Sequence, residues 1–273
     1  MDEVAEAFDW QGQPVNCDPC AHRALLGVGR CLKAYSCVHD RRIKHIDRFL
    51  RANRDLADTY LDHPYFELRA VAARYGSLFR VAPMIADSEP EVRSVAVTRL
   101  PLERVKGLAN DPDRRVRIAV TLKLEGRALL TMLDDKDHFV RVIVVRKLPP
   151  ELLPLAIQDR EPAVRRWVAR RIVPNRLMDM HKDADPMVRV EVAERLEPER
   201  LEVFVHDADL RVRFTAAERI EPDQLHLFLQ DSEEIVRDVA MQRLLELGRP
   251  TVIPEKQATA HRVQLLPFKP SRS

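Results

Sequence analysis

Glycine is scarce in this chain, 7 of 273 residues. That argues against glycine-rich phosphate loops, and no Walker, G-x-G-x-x-G, G-x-S-x-G or H-E-x-x-H pattern occurs; the lone Gly27-Val28-Gly29 is too short to count. No active site is visible, so the chain is not expected to be an enzyme. Aromatic residues make up only 5%, and Trp167 is the one tryptophan of the repetitive region. Single-stranded nucleic acid is bound by stacking platforms interleaved with positive charge, so nucleic acid is not an expected partner. Charge of one sign is also missing: 45 basic residues face 43 acidic ones for a net +2, which calls for neither nucleic acid nor an anionic membrane. No apolar run approaches the roughly 18 residues of a membrane span. The opening MDEVAEAFDW is acidic where a secretory signal would be basic and then apolar, and a cytoplasmic location is expected.

What is present is periodic. An apolar residue followed by arginine recurs at one fixed spacing, at Leu68-Arg69, Val92-Arg93, Val116-Arg117, Val140-Arg141, Val164-Arg165, Val188-Arg189, Val212-Arg213 and Val236-Arg237. Within the copies, apolar residues stand four and eight positions later, as in Val92/Ala96/Leu100 and Val212/Ala216/Ile220. This is the buried stripe of a helix, and the pattern outweighs the β-branched character of stretches such as VRVIVVRKL. From the second copy on, an aspartate stands five positions before the apolar one, at Asp87, Asp111, Asp135, Asp159, Asp183, Asp207 and Asp231, and is expected to be the helix N-cap. A second element opens on proline in most copies (Pro101, Pro150, Pro174, Pro198, Pro222) and carries Val105, Leu129, Leu153, Leu177, Leu201 and Leu225. If the first helix takes about 11 residues it runs roughly 16 Å. The chain must then return over a similar distance in about 8 residues, which a 3₁₀ segment at about 2.0 Å per residue covers and an α-helix does not. One copy buries too few side chains to offset the ordering of its backbone, so copies must stack.

The repeated arginines and a second basic row, Arg99, Lys123, Lys147, Arg171, Arg195, Arg219 and Arg243, could form a track for an anionic partner. At about 100° per residue the rows fall at opposite margins of the apolar stripe, where long basic chains cover the core and meet helix carboxyl ends or the aspartates. A structural role is the expected one. The first copy departs from the pattern, with Tyr75-Gly76 in place of a basic residue and Leu or Ile, and His63 in place of the aspartate.

All four cysteines fall in one short stretch, Cys17, Cys20, Cys31 and Cys37, spaced C-x2-C-x10-C-x5-C, and none follows. In a cytoplasmic protein disulfides are disfavoured. Spacing alone leaves three readings open: a structural zinc, an iron–sulfur cluster, and unligated cysteines, with zinc slightly ahead although C-x5-C is wider than a usual zinc-ribbon pair. Pro19, Gly27 and Gly29 would help the backbone turn around a core, and Arg23, Arg30 and Lys33 could offset thiolate charge. His22, His39 and His45 lie nearby, but with four cysteines available they are expected to support rather than ligate.

The segment CDPCAHRALLGVGRCLKAYSCVHDRRIKHIDRFLRAN, followed by units of the form DxxxxVRxxVAxRLxPxxL, resembles the leucine-rich repeat variant family over about residues 15–250. The resemblance implies an all-α solenoid, a right-handed superhelix of 24-residue repeats alternating α and 3₁₀ helices, behind a small N-terminal metal-cluster domain. It implies that Cys17, Cys20, Cys31 and Cys37 ligate a 4Fe-4S cluster, with zinc as the alternative, and it carries a link to nitrogen-fixing bacteria. The expected organisation is a cluster domain over 1–62, eight repeats over 63–249 and an extended tail over 250–273. Two roles are weighed: a redox or sensing centre, exchanging electrons, on a scaffold that binds another protein along the solenoid, and a scaffold in which the metal only caps the first repeat.

Overall fold

The computed structural model describes residues 6–248; the tail expected over 250–273 lies outside the described residues. The chain divides into two compact units, 1–172 and 173–273, each taken by itself below. Among the described residues there is no β-strand, only isolated bridges at Phe8–Pro14 and Leu32–Ser36.

In the first unit the helices are α1 (Ala24–Gly27), α2 (Ile43–Ala52), α3 (Phe66–Tyr75), α4 (Leu78–Val81), α5 (Pro90–Arg99), α6 (Leu102–Val105), α7 (Arg114–Lys123), α8 (Gly126–Leu130), α9 (His138–Lys147) and α10 (Pro162–Arg171). The long helices stack in order, α2 on α3, α3 on α5, α5 on α7, α7 on α9 and α9 on α10. 3₁₀ segments run between them at Arg54–Tyr60, Ala82–Ala86, Lys106–Asn110, Thr131–Asp134 and Pro150–Ala156. The alternation therefore starts with α2, one pair before His63. The second unit holds 3₁₀ segments at Pro174–Met180, Pro198–Phe204 and Pro222–Phe228, alternating with α11 (Pro186–Ala193), α12 (Leu210–Arg219) and α13 (Glu234–Glu246).

The i, i+4, i+8 stripe is the core in both units. Val116, Val120 and Leu124 on one helix and Val212, Ala216 and Ile220 on another are buried, as are Val105, Leu129 and Leu153 from the return segments of the first unit. The β-branched stretch at 140–147 is helical within α9: burial of one face decides over propensity. The return segments are less uniform than expected. Those opening on Pro150, Pro174, Pro198 or Pro222 are 3₁₀ throughout, whereas Leu78, Leu102 and Gly126 at the same register open one α turn first.

The aspartates do not cap their helices. Each stands two positions ahead of the cap and accepts the cap residue's N–H, as Asp87 does from Glu89 (2.9 Å) and Asp207 from Asp209 (2.9 Å). Side-chain caps are supplied by Asp113, Asp137, Asp185 and Asp209, each bonding a first-turn N–H at 2.8–2.9 Å. The earlier aspartate instead takes a two-pronged bond from the arginine of the preceding repeat. Arg93 Nε and Nη2 reach Asp111 at 2.8 Å each, Arg117 reaches Asp135 at 2.8 and 3.0 Å, and Arg141 reaches Asp159 at 2.7 and 2.8 Å. In the second unit Arg189 holds Asp207 at 2.6 and 2.7 Å, and Arg213 holds Asp231 at 2.7 and 3.0 Å. The third nitrogen, Nη1, donates to the carbonyl of the arginine's own repeat, as from Arg117 to Asp111 O at 2.9 Å. The planar guanidinium fork is what makes one side chain serve two repeats.

The second basic row closes the opposite helix end. Lys147 Nζ donates to the carbonyls of Thr121 (3.1 Å) and Leu124 (2.8 Å), and Arg243 Nη1 to those of Ala217 (2.8 Å) and Ile220 (3.0 Å). Positive charge at a helix C-terminus satisfies orphan carbonyls and complements the helix dipole. Both rows thus have the structural role expected of them.

These clamps can be tested by mutation and by pH. Arg117 and Asp135 are 4% and 6% exposed at the side chain, so Arg117→Ala strands a buried carboxylate and should cost about 3 kcal/mol in urea unfolding; Arg211→Ala, on an exposed pair, should cost under about 1 kcal/mol. The acid limb is set by carboxylates whose pKa is depressed. Burial raises Asp87, Asp111, Asp135 and Asp159, but the paired arginines outweigh it and hold all four below their ordinary value. Asp113 and Asp209 are held at about 2 by the side chains of Arg115 and Arg211. The stabilisation is therefore complete above the unfolded value of about 3.9 and is lost as pH falls toward about 2. In helical circular dichroism the carboxylates' share of the melting temperature should be intact at pH 5 and above and fall steeply below pH 4, with a shallower loss between pH 7 and 5 from His22, His39 and His63, whose pKa burial lowers.

Candidate metal centre

The cysteine segment has little regular structure, and backbone hydrogen bonds place its thiols. Cys17 and Cys20 share a turn closed by Cys20 N to Cys17 O at 3.4 Å, and His22 N donates to Cys20 Sγ at 3.4 Å. After α1 the chain reverses at Gly29, whose φ of +71° is left-handed, a conformation glycine adopts without steric cost. Arg30 N and Cys31 N both return to Leu25 O. Gly27 ends α1 and has no such need. A second tight turn, with Ala34 at φ +61° and Leu32 and Ser36 bonded to each other, delivers Cys37. Cys37 packs on Ala7 and Val15 and donates its N–H to His45 O at 3.2 Å. Cys31 and Cys37 are buried; Cys17 and Cys20 are half-buried and all four are free thiols.

The four thiols are close enough to act on one another. Burial, then the neighbouring Cys37, Cys20 and Cys17, push Cys31 up to about 12. Burial and Cys17 also raise Cys37, while the backbone N–H groups of His39 and Asp40 oppose them by bonding its sulfur. Alone, Cys31 and Cys37 keep their protons at neutral pH; a cationic core is what would stabilise thiolates here. In this respect the donor set fits a metal centre. Among the described residues no three His, Cys, Asp or Glu side chains converge as ligands of one metal ion.

A buried carboxylate anchors the segment to α2. Asp40, 1% exposed, accepts from Arg42 Nε (2.9 Å) and Nη2 (2.7 Å) and pairs with His45 Nδ1 (2.9 Å). Burial alone would raise it, yet these bonds hold it at about 2. His45 is thus buried and tied to Asp40, and its carbonyl positions Cys37. The His22 ring bonds the Tyr60 hydroxyl, and burial lowers its pKa. Tyr60 is pushed up to about 12 by burial and by Cys20 and Cys37, so its phenol borders the thiols. The expected charge compensation takes a different form. Arg23 turns to Asp18 at 3.3 Å, and Arg30 bonds Ala52 O at 3.0 Å and Asp55 at 3.2 Å. Asp40 and Tyr60 carry no signal in the sequence, because neither lies in a periodic or cysteine-like pattern.

The first repeat is atypical because it meets this segment. His63 Nδ1 accepts Tyr65 N at 3.1 Å, doing for α3 what an aspartate does elsewhere. A Cβ at Gly76 would stand 2.8 Å from Asp58 Oδ1, which holds Ser77 N at 2.8 Å. Tyr75 donates to Asp47 Oδ1 of α2 at 2.9 Å.

Residues 7–59 match a family described as LRV protein FeS4 cluster. A solved structure titled as a leucine-rich repeat variant with a novel repetitive protein structural motif is 38% identical, with a TM-score of 0.77, across 84% of this chain and 99% of that one. The chain belongs to the leucine-rich repeat variant family. An uncharacterized 27.7 kDa protein in the nifB 3' region of Rhodobacter capsulatus is 46% identical over 92 residues, 34% of this chain and 38% of that protein. The repeat-variant fold is thus shared with that solved structure, and in this chain an iron–sulfur family segment precedes the repeats.

Removing the anchor tests the local account. Asp40→Ala leaves Arg42 and His45 without their acceptor and should lower stability by on the order of 3 kcal/mol, while Asp18→Ala on the surface should cost under about 1 kcal/mol in the same denaturant titration.

Proposed function

We propose that this repeat-variant protein carries a 4Fe-4S cluster with Cys17, Cys20, Cys31 and Cys37 each at one iron, and that its repeats form a scaffold for a protein partner that reads the cluster's state. The observation that carries the reading is that Cys31 feels all three other cysteines, with Cys31 and Cys37 buried, inside a segment matching an iron–sulfur family. When bound, a cluster supplies one-electron chemistry. The chain's own residues would hold and tune it: N–H groups of His22, His39 and Asp40 are directed at Cys20 and Cys37, and hydrogen bonds to cluster sulfurs favour the reduced state. Asp40 and His45 would fix Cys37 from behind.

No catalytic role is part of this proposal. Arg69, Arg93, Arg117, Arg141, Arg189 and Arg213 are engaged between repeats, which leaves the exposed helix faces as the surface for a partner. A setting beside nitrogen fixation belongs to the same reading, in keeping with the name of the Rhodobacter capsulatus relative. A zinc-held scaffold without redox chemistry is the competing reading.

The test is anaerobic purification followed by iron, sulfide and zinc analysis. Four irons and four sulfides per chain, with broad absorbance near 400 nm that bleaches with dithionite and returns on reoxidation, are expected; Cys31→Ser and Cys37→Ser should lose them. One zinc per chain and no colour would sink the cluster.

A further inference from the structure

The cluster reading leaves without a role a cleft of about 350 Å³ beside Cys20, within the size range of small-molecule sites. Of the four cysteines only Cys20 lines it. Its wall joins the N-terminal turn, the cysteine segment and the start of the repeats. Trp10 and Tyr65 lie nearly parallel, 6.1 Å between centroids and 10° between planes, so Tyr65 backs the indole. His63 stands edge-on to Trp10 at 6.1 Å, and Tyr60 lies 6.4 Å from His63. Tyr65 itself is fixed through its hydroxyl, which donates to Arg41 O at 2.9 Å.

The charge of the wall is as telling as its rings. The chain has 45 lysines and arginines, and none lines the cleft, whereas Asp9 and Asp40 do. Asp40 is committed to Arg42 and His45. Asp9 uses one oxygen, Oδ1, for the N–H groups of Gln11 (3.0 Å) and Gln13 (2.8 Å), and its Oδ2 has no donor among the described residues. π faces and a carboxylate, with no lysine or arginine in the wall and with the pKa values of His39 and His63 both held low by burial, disfavour an anion and give a neutral ligand burial alone. A compact organic cation gains both cation–π attraction and a counter-charge.

We infer that this cleft binds a small organic cation of the alkylated-ammonium class, with Trp10, His63 and Tyr60 as its cage and Asp9 as counter-charge. The inference is argued from rings and a carboxylate rather than from the four thiols, of which Cys20 alone lines the cleft.

Calorimetric titration of the full chain as purified, at about 0.15 M salt to screen non-specific attraction, tests it with choline and its neutral isostere 3,3-dimethylbutan-1-ol. Choline should saturate one site and bind about tenfold more tightly than the isostere. Trp10→Ala should weaken choline about tenfold and Asp9→Asn about threefold, with the isostere unmoved by Asp9→Asn. Trp167→Phe, far from the cleft in sequence, should change nothing. Should Trp10→Ala lose its helical dichroism, Trp10→Phe and Asp9→Asn carry the comparison. Equal binding of the two ligands, absence of saturable choline binding, or choline binding indifferent to Trp10 and Asp9 would overturn the inference.

Discussion

The bond on which the repeats depend is the fork between an arginine and the aspartate of the following repeat. It does three things at once. The guanidinium bridges two repeats, its third nitrogen ties down the loop of its own repeat, and the aspartate's shared oxygen bonds the N–H of the residue that caps the next helix. Because these charges sit at the margin of the apolar stripe, almost withdrawn from water, leaving either one alone would be costly. Stacking by valine and leucine is non-directional; the fork fixes register.

The repeat was legible to a high degree. Eight copies in strict register announce a solenoid, and a distance argument alone required a 3₁₀ return. What failed was finer. The aspartate looked like a cap because Asp is a good cap and stood just ahead of the helix, but the helix begins two positions later than that placement assumes, and the long-range partner lies in the preceding repeat. A local pattern cannot reveal a bond between repeats unless both ends recur together, which here they do: the constant interval between arginine and the next aspartate was present in the sequence as an unused signal. The α turns opening at Leu78, Leu102 and Gly126 mark places where the proline register lapses.

The cysteine segment was less transparent. The thiols themselves could be picked out by type, but the groups that support them are ordinary residues made special by burial. Asp40 matters because Arg42 and His45 converge on it, and His45 because its carbonyl faces Cys37. Arg23 and Arg30, singled out by charge and proximity in sequence, point elsewhere. Spacing says which residues are near along the chain; the turns at Gly29 and Ala34 decide which are near in space.

One consequence of the fork concerns how such a chain can change length. An inner repeat such as that of Asp111 and Arg117 offers an aspartate to the repeat before it and an arginine to the repeat after it, so a duplicated block of one full repeat arrives with both halves of its joints already made. Whole repeats can thus be added or removed with the forks kept, while an insertion that is not a whole number of repeats leaves one charged group on each side of the break without its mate. Such an array lengthens in quanta, and the first repeat, with His63 in place of the aspartate and with Gly76 and Tyr75 fitted to Asp58 and Asp47, does not serve as an inner copy.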